Sequence, residues 1–172
     1  MSITQRLFRR SDDRDALVPL YRAVVERGRE RHWYLEGGVA DTLDGRFDMI
    51  AAILSLVLIR LEHRADDKLA AVQLTELFVN DMDGQLRQIG IGDMMVGKHI
   101  GRMMSALGGR LSAYREALSG GDLEAALVRN LYRGEEPDDA ALTHVSARLH
   151  AFHLALAQTS VAALLAGELP AA

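Results

Sequence analysis

Cysteine is absent from the 172-residue chain, which excludes disulfides, thiol nucleophiles and every cysteine-ligated metal or iron-sulfur centre. An excess of positive charge is also missing: 20 Lys plus Arg against 24 Asp plus Glu give a net charge of −4. No whole-chain field therefore exists to hold nucleic acid or anionic lipid, and any such contact must be a local patch. The longest apolar run, Met49 to Ile59, is broken only by Ser55 and bounded by Asp48 and Arg60, well short of the ~20 residues that cross a bilayer. It reads as a buried core helix. The first ten residues carry three arginines but neither an apolar signal region nor a small-residue cleavage site, so they read as a frayed arm or short first turn. With no export or spanning segment, the expected location is the cytoplasm, with at most peripheral contact with the inner membrane.

Proline is scarce, with three residues, and aromatics make up 5% of the chain. What is plentiful is apolar sequence recurring at threes and fours, which predicts an all-α, single-domain bundle over 1–172 with about six helices and a long irregular loop after the first. The first helix is predicted from about Asp12 to Arg31, with Ser11 as N-cap and Leu17, Leu20, Tyr21, Val24 and Val25 buried. Pro19 kinks it or marks a later start. His32 to Gly45 has loop chemistry around Trp33 and Tyr34. Further helices are predicted over about Arg46–Arg64, Asp66–Ile89, Asp93–Leu118, Asp122–Tyr132 and from Glu136 to near Gly167, the second of the six being central because it is apolar on most sides. Beside the apolar stripe of the Asp93–Leu118 helix runs a second stripe, Gly97, Gly101, Ser105 and Gly108, along which two backbones could approach.

Catalytic signatures are wanting. No phosphate-binding loop, nucleophile elbow or His-Glu-x-x-His occurs, Gly90-Ile91-Gly92 lies between helices, and His150 and His153 lack the rest of a ligand shell. Neither an enzyme nor a cofactor is expected. The richest polar segment is Asn80-Asp81-Met82-Asp83-Gly84-Gln85-Leu86-Arg87, continued by Asp93-Met94-Met95-Val96-Gly97-Lys98. As a solvated hairpin it needs only an Asp83/Arg87 pair and an Asp93 cap. As a recognition surface it would use Met82, Met94, Met95, Met103 and Met104, flexible side chains that adapt to varied apolar partners.

Two blocks resemble the ubiquinol-cytochrome c chaperone family in its alphaproteobacterial form. One is Trp33-Tyr34 through Gly38-Val39-Ala40-Asp41-Thr42-Leu43-Asp44-Gly45-Arg46-Phe47-Asp48; the other runs from Leu77-Phe78 through Asp81-Met82-Asp83, Leu86-Arg87, Gly92-Asp93 and Val96-Gly97-Lys98 to Gly109-Arg110 and Tyr114. Ala40 departs from a common proline, Gly108 from an aromatic and Ile53 from a histidine. The resemblance implies a non-enzymatic assembly factor for ubiquinol-cytochrome c reductase, respiratory complex III, that binds newly made cytochrome b or another component of that complex. It also implies a small partner subunit or a ribosome as further partners, with no recognition of nucleic acid sequence. On this reading Trp33 and Tyr34 are apolar anchors of a client groove, Met94, Met95 and Met104 adaptable contacts, and Asp81, Asp83, Arg87, Asp93, Lys98 and Arg110 rim charges or internal braces, with Asp41 and Arg46 tying the loop to the bundle or touching the client. The alternatives are a helical adaptor or homodimer using the small-residue stripe, and a haem or metal carrier using His150, His153 or His99.

Overall fold

The computed structural model describes residues 16–63, 67–88 and 93–171, with the side chains of 85–87 and 93–100 outside that description. Among the described residues the chain is helical throughout its regular structure: α1 Val18–Gly28, α2 Arg31–Leu35, α3 Leu43–Glu62, α4 Lys68–Gln88, α5 Asp93–Leu118, α6 Leu123–Asn130, α7 Asp139–Gln158 and α8 Val161–Leu165. The all-α bundle is as the periodicity predicts. Its axis is α3, which packs against α1, α4, α5 and α7. From Asp48 to Leu61 every residue of α3 except Arg60 is buried, the physical consequence of a helix that is apolar on all sides. Arg60 escapes burial by donating from Nε to the Leu156 carbonyl and from Nη2 to that of Thr159, each at 2.9 Å. A guanidinium thus caps the C-terminal end of α7, where helix carbonyls lack internal partners.

Boundaries moved where a cap or a buried aromatic outweighs periodicity. α1 starts at Val18 with Pro19 in its first turn, where a missing N–H costs nothing; Ser11 and the arm before it lie outside the described residues. The predicted loop contains the five-residue α2, because Trp33 is drawn fully into the core. α3 begins at Leu43: Thr42 Oγ1 accepts the Gly45 N–H at 3.1 Å, so Asp44-Gly45 is a first helical turn and not a loop. Gly45 is required there, since a Cβ would lie 2.0 Å from the Ala40 carbonyl oxygen. The last predicted helix divides at Thr159, with Ser160 capping α8. α5 keeps its predicted bounds; the Gly90-Ile91-Gly92 turn before it is outside the described residues.

Candidate functional site

The apolar stripe of α5 is not all core. Met103, Ala106 and Arg110 face one groove, while Met104, Leu107, Gly108 and Leu111 face another, as expected for side chains spaced by three and four on adjacent faces of one helix. The first groove has a volume of about 700 Å³ and is bounded by α3, α4 and α5. Leu43, Phe47, Ile50, Met82 and Met103 give it an apolar lining, and five arginines reach it: Arg29, Arg46, Arg102, Arg110 and Arg133. The second is about 560 Å³, lined by Leu58, Ala71 and Val72 with the Met104 side of α5.

Beneath the first groove lies a carboxylate with no exposure at all, Asp48. Its Oδ1 accepts from Arg110 Nη2 and its Oδ2 from Arg133 Nε, both at 2.5 Å. Burial pushes the Asp48 carboxyl up from its ordinary range, against the pull of the Arg133 and Arg110 guanidinium groups. Arg110 also donates from Nε to the Asn130 carbonyl at 3.2 Å and lies over the Phe47 ring, 5.5 Å from its centroid. Arg133 donates from Nη1 to Asp44 Oδ2 at 2.7 Å. It does so from a left-handed backbone position, φ 57°, a conformation that costs about 1–2 kcal/mol without glycine. The two carboxylates it clasps explain why a long cationic side chain occupies that turn. α3, α5 and the end of α6 are thereby tied at one point.

The residues singled out from sequence separate into groups. Arg46, Met82 and Arg110 meet in the first groove, and Asp81 lies beside it, accepting from the Tyr21 hydroxyl at 2.6 Å. Burial and this hydrogen bond push the Tyr21 phenol up. Asp83 is half-buried on α4. Met104 belongs to the second groove. Trp33 is fully buried, and its Nε1 donates to the Arg27 carbonyl at 2.8 Å; in this structure it is a core side chain and presents no surface. Tyr34 is half-buried, donating to the Gly28 carbonyl at 2.6 Å. Arg46 Nε donates to Asp41 Oδ1 at 2.6 Å, and this hydrogen bond holds the Asp41 carboxyl below its usual range. Tyr34, Asp41, Arg46 and Arg29 also line a smaller pocket of about 380 Å³, so Arg29 and Arg46 join the aromatic segment to the groove. The side chains of Arg87, Asp93, Met94, Met95, Lys98 and His99 lie outside the described residues, as do the surroundings of Gly97.

Sequence reasoning did not select Asp48, Arg133, Arg29 or Arg102. Asp48 carried a signal, a carboxylate opening the longest apolar run; the three arginines sit on elements far apart in the chain and share no pattern. Elsewhere, His32 Nε2 donates to Glu30 Oε2 and His32 Nδ1 meets His144 Nε2, both at 3.0 Å. No group of three or more metal-capable side chains converges among the described residues. No described helix is long and apolar enough to cross a membrane.

Comparison with known proteins adds two findings. A family model described as ubiquinol-cytochrome C chaperone matches residues 35–171. The crystal structure of the Cbp3 homolog from Brucella abortus superposes with a TM-score of 0.80 at 29% sequence identity, covering 99% of this chain and 97% of that one. No curated protein matches.

Proposed function

The chain belongs to the ubiquinol-cytochrome c chaperone family, whose role is the assembly of ubiquinol-cytochrome c reductase, and from this premise we propose that it binds newly made cytochrome b in the groove between α3, α4 and α5. The observation that supports the reading is the groove's composition: exposed Leu43, half-buried Met103 and the edge of buried Met82 line it over a rigid Asp48-Arg110-Arg133 floor. Cytochrome b is an apolar client. A helper must cover part of it without holding it permanently, and methionine, unbranched and polarizable, packs against varied apolar shapes. The floor keeps the cleft open, because three elements are pinned by one buried carboxylate. Such action needs no catalysis and places the chain in the cytoplasm or at the face of the inner membrane where the client inserts. A small partner subunit or a ribosome would deliver that client.

The test is complementation. Cells that build the reductase and lack this chain should accumulate less of the assembled complex. A wild-type copy should restore it, and a copy carrying Leu43→Glu and Met103→Glu should not, although its circular dichroism matches the wild type. Full restoration by the variant contradicts the reading.

A second reading, a homodimer or adaptor, has its own observation. A Cβ added at Gly101 or Gly108 meets nothing within 4 Å, and Leu69, Val72 and Met104 are exposed by 62%, 54% and 38%. From Gly101 to Gly108 the small-residue stripe is an open surface in the chain as it stands. Light scattering decides: a dimeric mass that Gly101→Leu abolishes without unfolding favours this reading, and a monomer in both removes it.

A further inference from the structure

We infer that the groove is selective for an acidic amphipathic segment of a protein chain, whose carboxylates are held by Arg29 and Arg102 while its apolar face lies on Leu43, Met82 and Met103. This deepens the client-binding reading and rests on it. The five arginines of the groove are not equivalent. Arg46 is engaged by Asp41, Arg110 by Asp48, and Arg133 by Asp44 and Asp48. Arg29, just past the end of α1, and Arg102, on α5, are exposed and have no ion pair or side-chain hydrogen bond among the described residues. Two uncommitted guanidinium groups thus stand at an apolar cleft in a chain whose net charge is −4. Local charge opposes the global charge, and such a spot steers and orients a partner of opposite sign. Arginine is suited to the task because its planar fork takes a carboxylate through two parallel hydrogen bonds.

Carboxylates and phosphates share that chemistry, and the rest of the groove separates them. Single-stranded nucleic acid is bound by aromatic platforms along a basic track. Phe47 is the one aromatic among the described residues lining this groove, and its ring is already engaged by the Arg110 guanidinium and by Phe78, whose centroid lies 5.6 Å away. No base has a face to stack on there. A bilayer surface would meet a concave site on a net-negative molecule. An apolar lining of aliphatic and thioether side chains with two cations at its edge fits the groove-binding mode of a helix with one charged edge.

The full chain and a variant carrying Arg29→Gln and Arg102→Gln are titrated against a fluorescent amphipathic peptide of leucine, methionine and glutamate, and against the same peptide with glutamine for glutamate, following anisotropy. Neither arginine braces the fold, so the variant should keep the wild-type circular dichroism. The wild type is expected to prefer the glutamate peptide by about tenfold. The variant should lose that preference and bind the glutamine peptide as the wild type does, and added salt should erase the preference. Equal binding of the two peptides by the wild type overturns the inference, as does tighter binding of a single-stranded RNA oligomer or of phosphatidylglycerol vesicles. Capture of cytochrome b from cell extract separates this from the underlying reading. Capture by the wild type and variant alike removes the arginine selectivity and leaves the groove reading standing, whereas capture by neither contradicts both.

Discussion

Asp48 concentrates more consequence than any other side chain of the groove. Fully buried and held by two arginines, it belongs to the class of buried ion pairs whose disruption strands a charge in low dielectric. Asp48→Asn presents an amide N–H to guanidinium donors and should cost about 3 kcal/mol. Asp44 accepts from the same Arg133 but its side chain is 68% exposed, so Asp44→Asn should cost well under about 1 kcal/mol. Urea unfolding of the two variants checks the contrast; similar losses would mean the buried clasp has no special weight. A second residue-scale expectation concerns protons. Burial, with the neighbouring His32 and Arg148, lowers the His144 pKa below its ordinary 6.5, while Glu36 pulls the other way. The folded chain therefore binds fewer protons here than the unfolded chain once pH drops below about 6.5. Stability should be fully present above that value and decline as pH falls toward the lowered folded pKa. His153, lowered by burial and by His150 and His63, acts in the same direction. Thermal melts between pH 8 and 5 should show the decline, and His144→Gln should flatten part of it; an unchanged slope would contradict the assignment.

At the scale of elements, glycine separates tight places from open ones. Gly45→Ala forces a methyl onto the Ala40 carbonyl and should destabilise by about 2–3 kcal/mol. Gly101→Ala, in an exposed stretch of α5 with nothing nearby, should stabilise by about 0.5–1 kcal/mol through helix propensity. Opposite signs in denaturant midpoints are the expected result. The same contrast explains what was legible in the sequence. α5 could be bounded because its end is marked by Ser119-Gly120-Gly121 and its stripe is long. The start of α3 could not, because Asp44-Gly45 has turn composition, and only Thr42 capping with the Ala40 backbone overhead makes it helical. α2 is too short to show a period, and its cause is the burial of one indole. Of the groove, the concentration of methionine and charge around Met82, Met103 and Arg110 could be read locally. Arg29 and Arg133 could not, since only tertiary packing brings the ends of α1 and α6 to α5, and Arg102, beside Met103 on α5, carried no mark that set it apart from other helix-surface arginines.

For the whole molecule, α5 is a ridge between two grooves of unlike character. One combines methionine with free cations over the Asp48 clasp, while the other sets Leu58, Val72 and Met104 beside Glu62 and Lys68, next to the open Gly101 and Gly108 positions. A bundle with so central a buried helix as α3 has a rigid frame, and binding at its surface need not reshape it. The most direct test places a photo-crosslinking amino acid at Leu43, 61% exposed on the rim of the first groove, and separately at Leu154, 55% exposed on α7, in cells synthesising cytochrome b. Adducts with cytochrome b at position 43 and none at 154 are the expected result; adducts at both positions alike, or at 154 alone, would contradict binding in the groove.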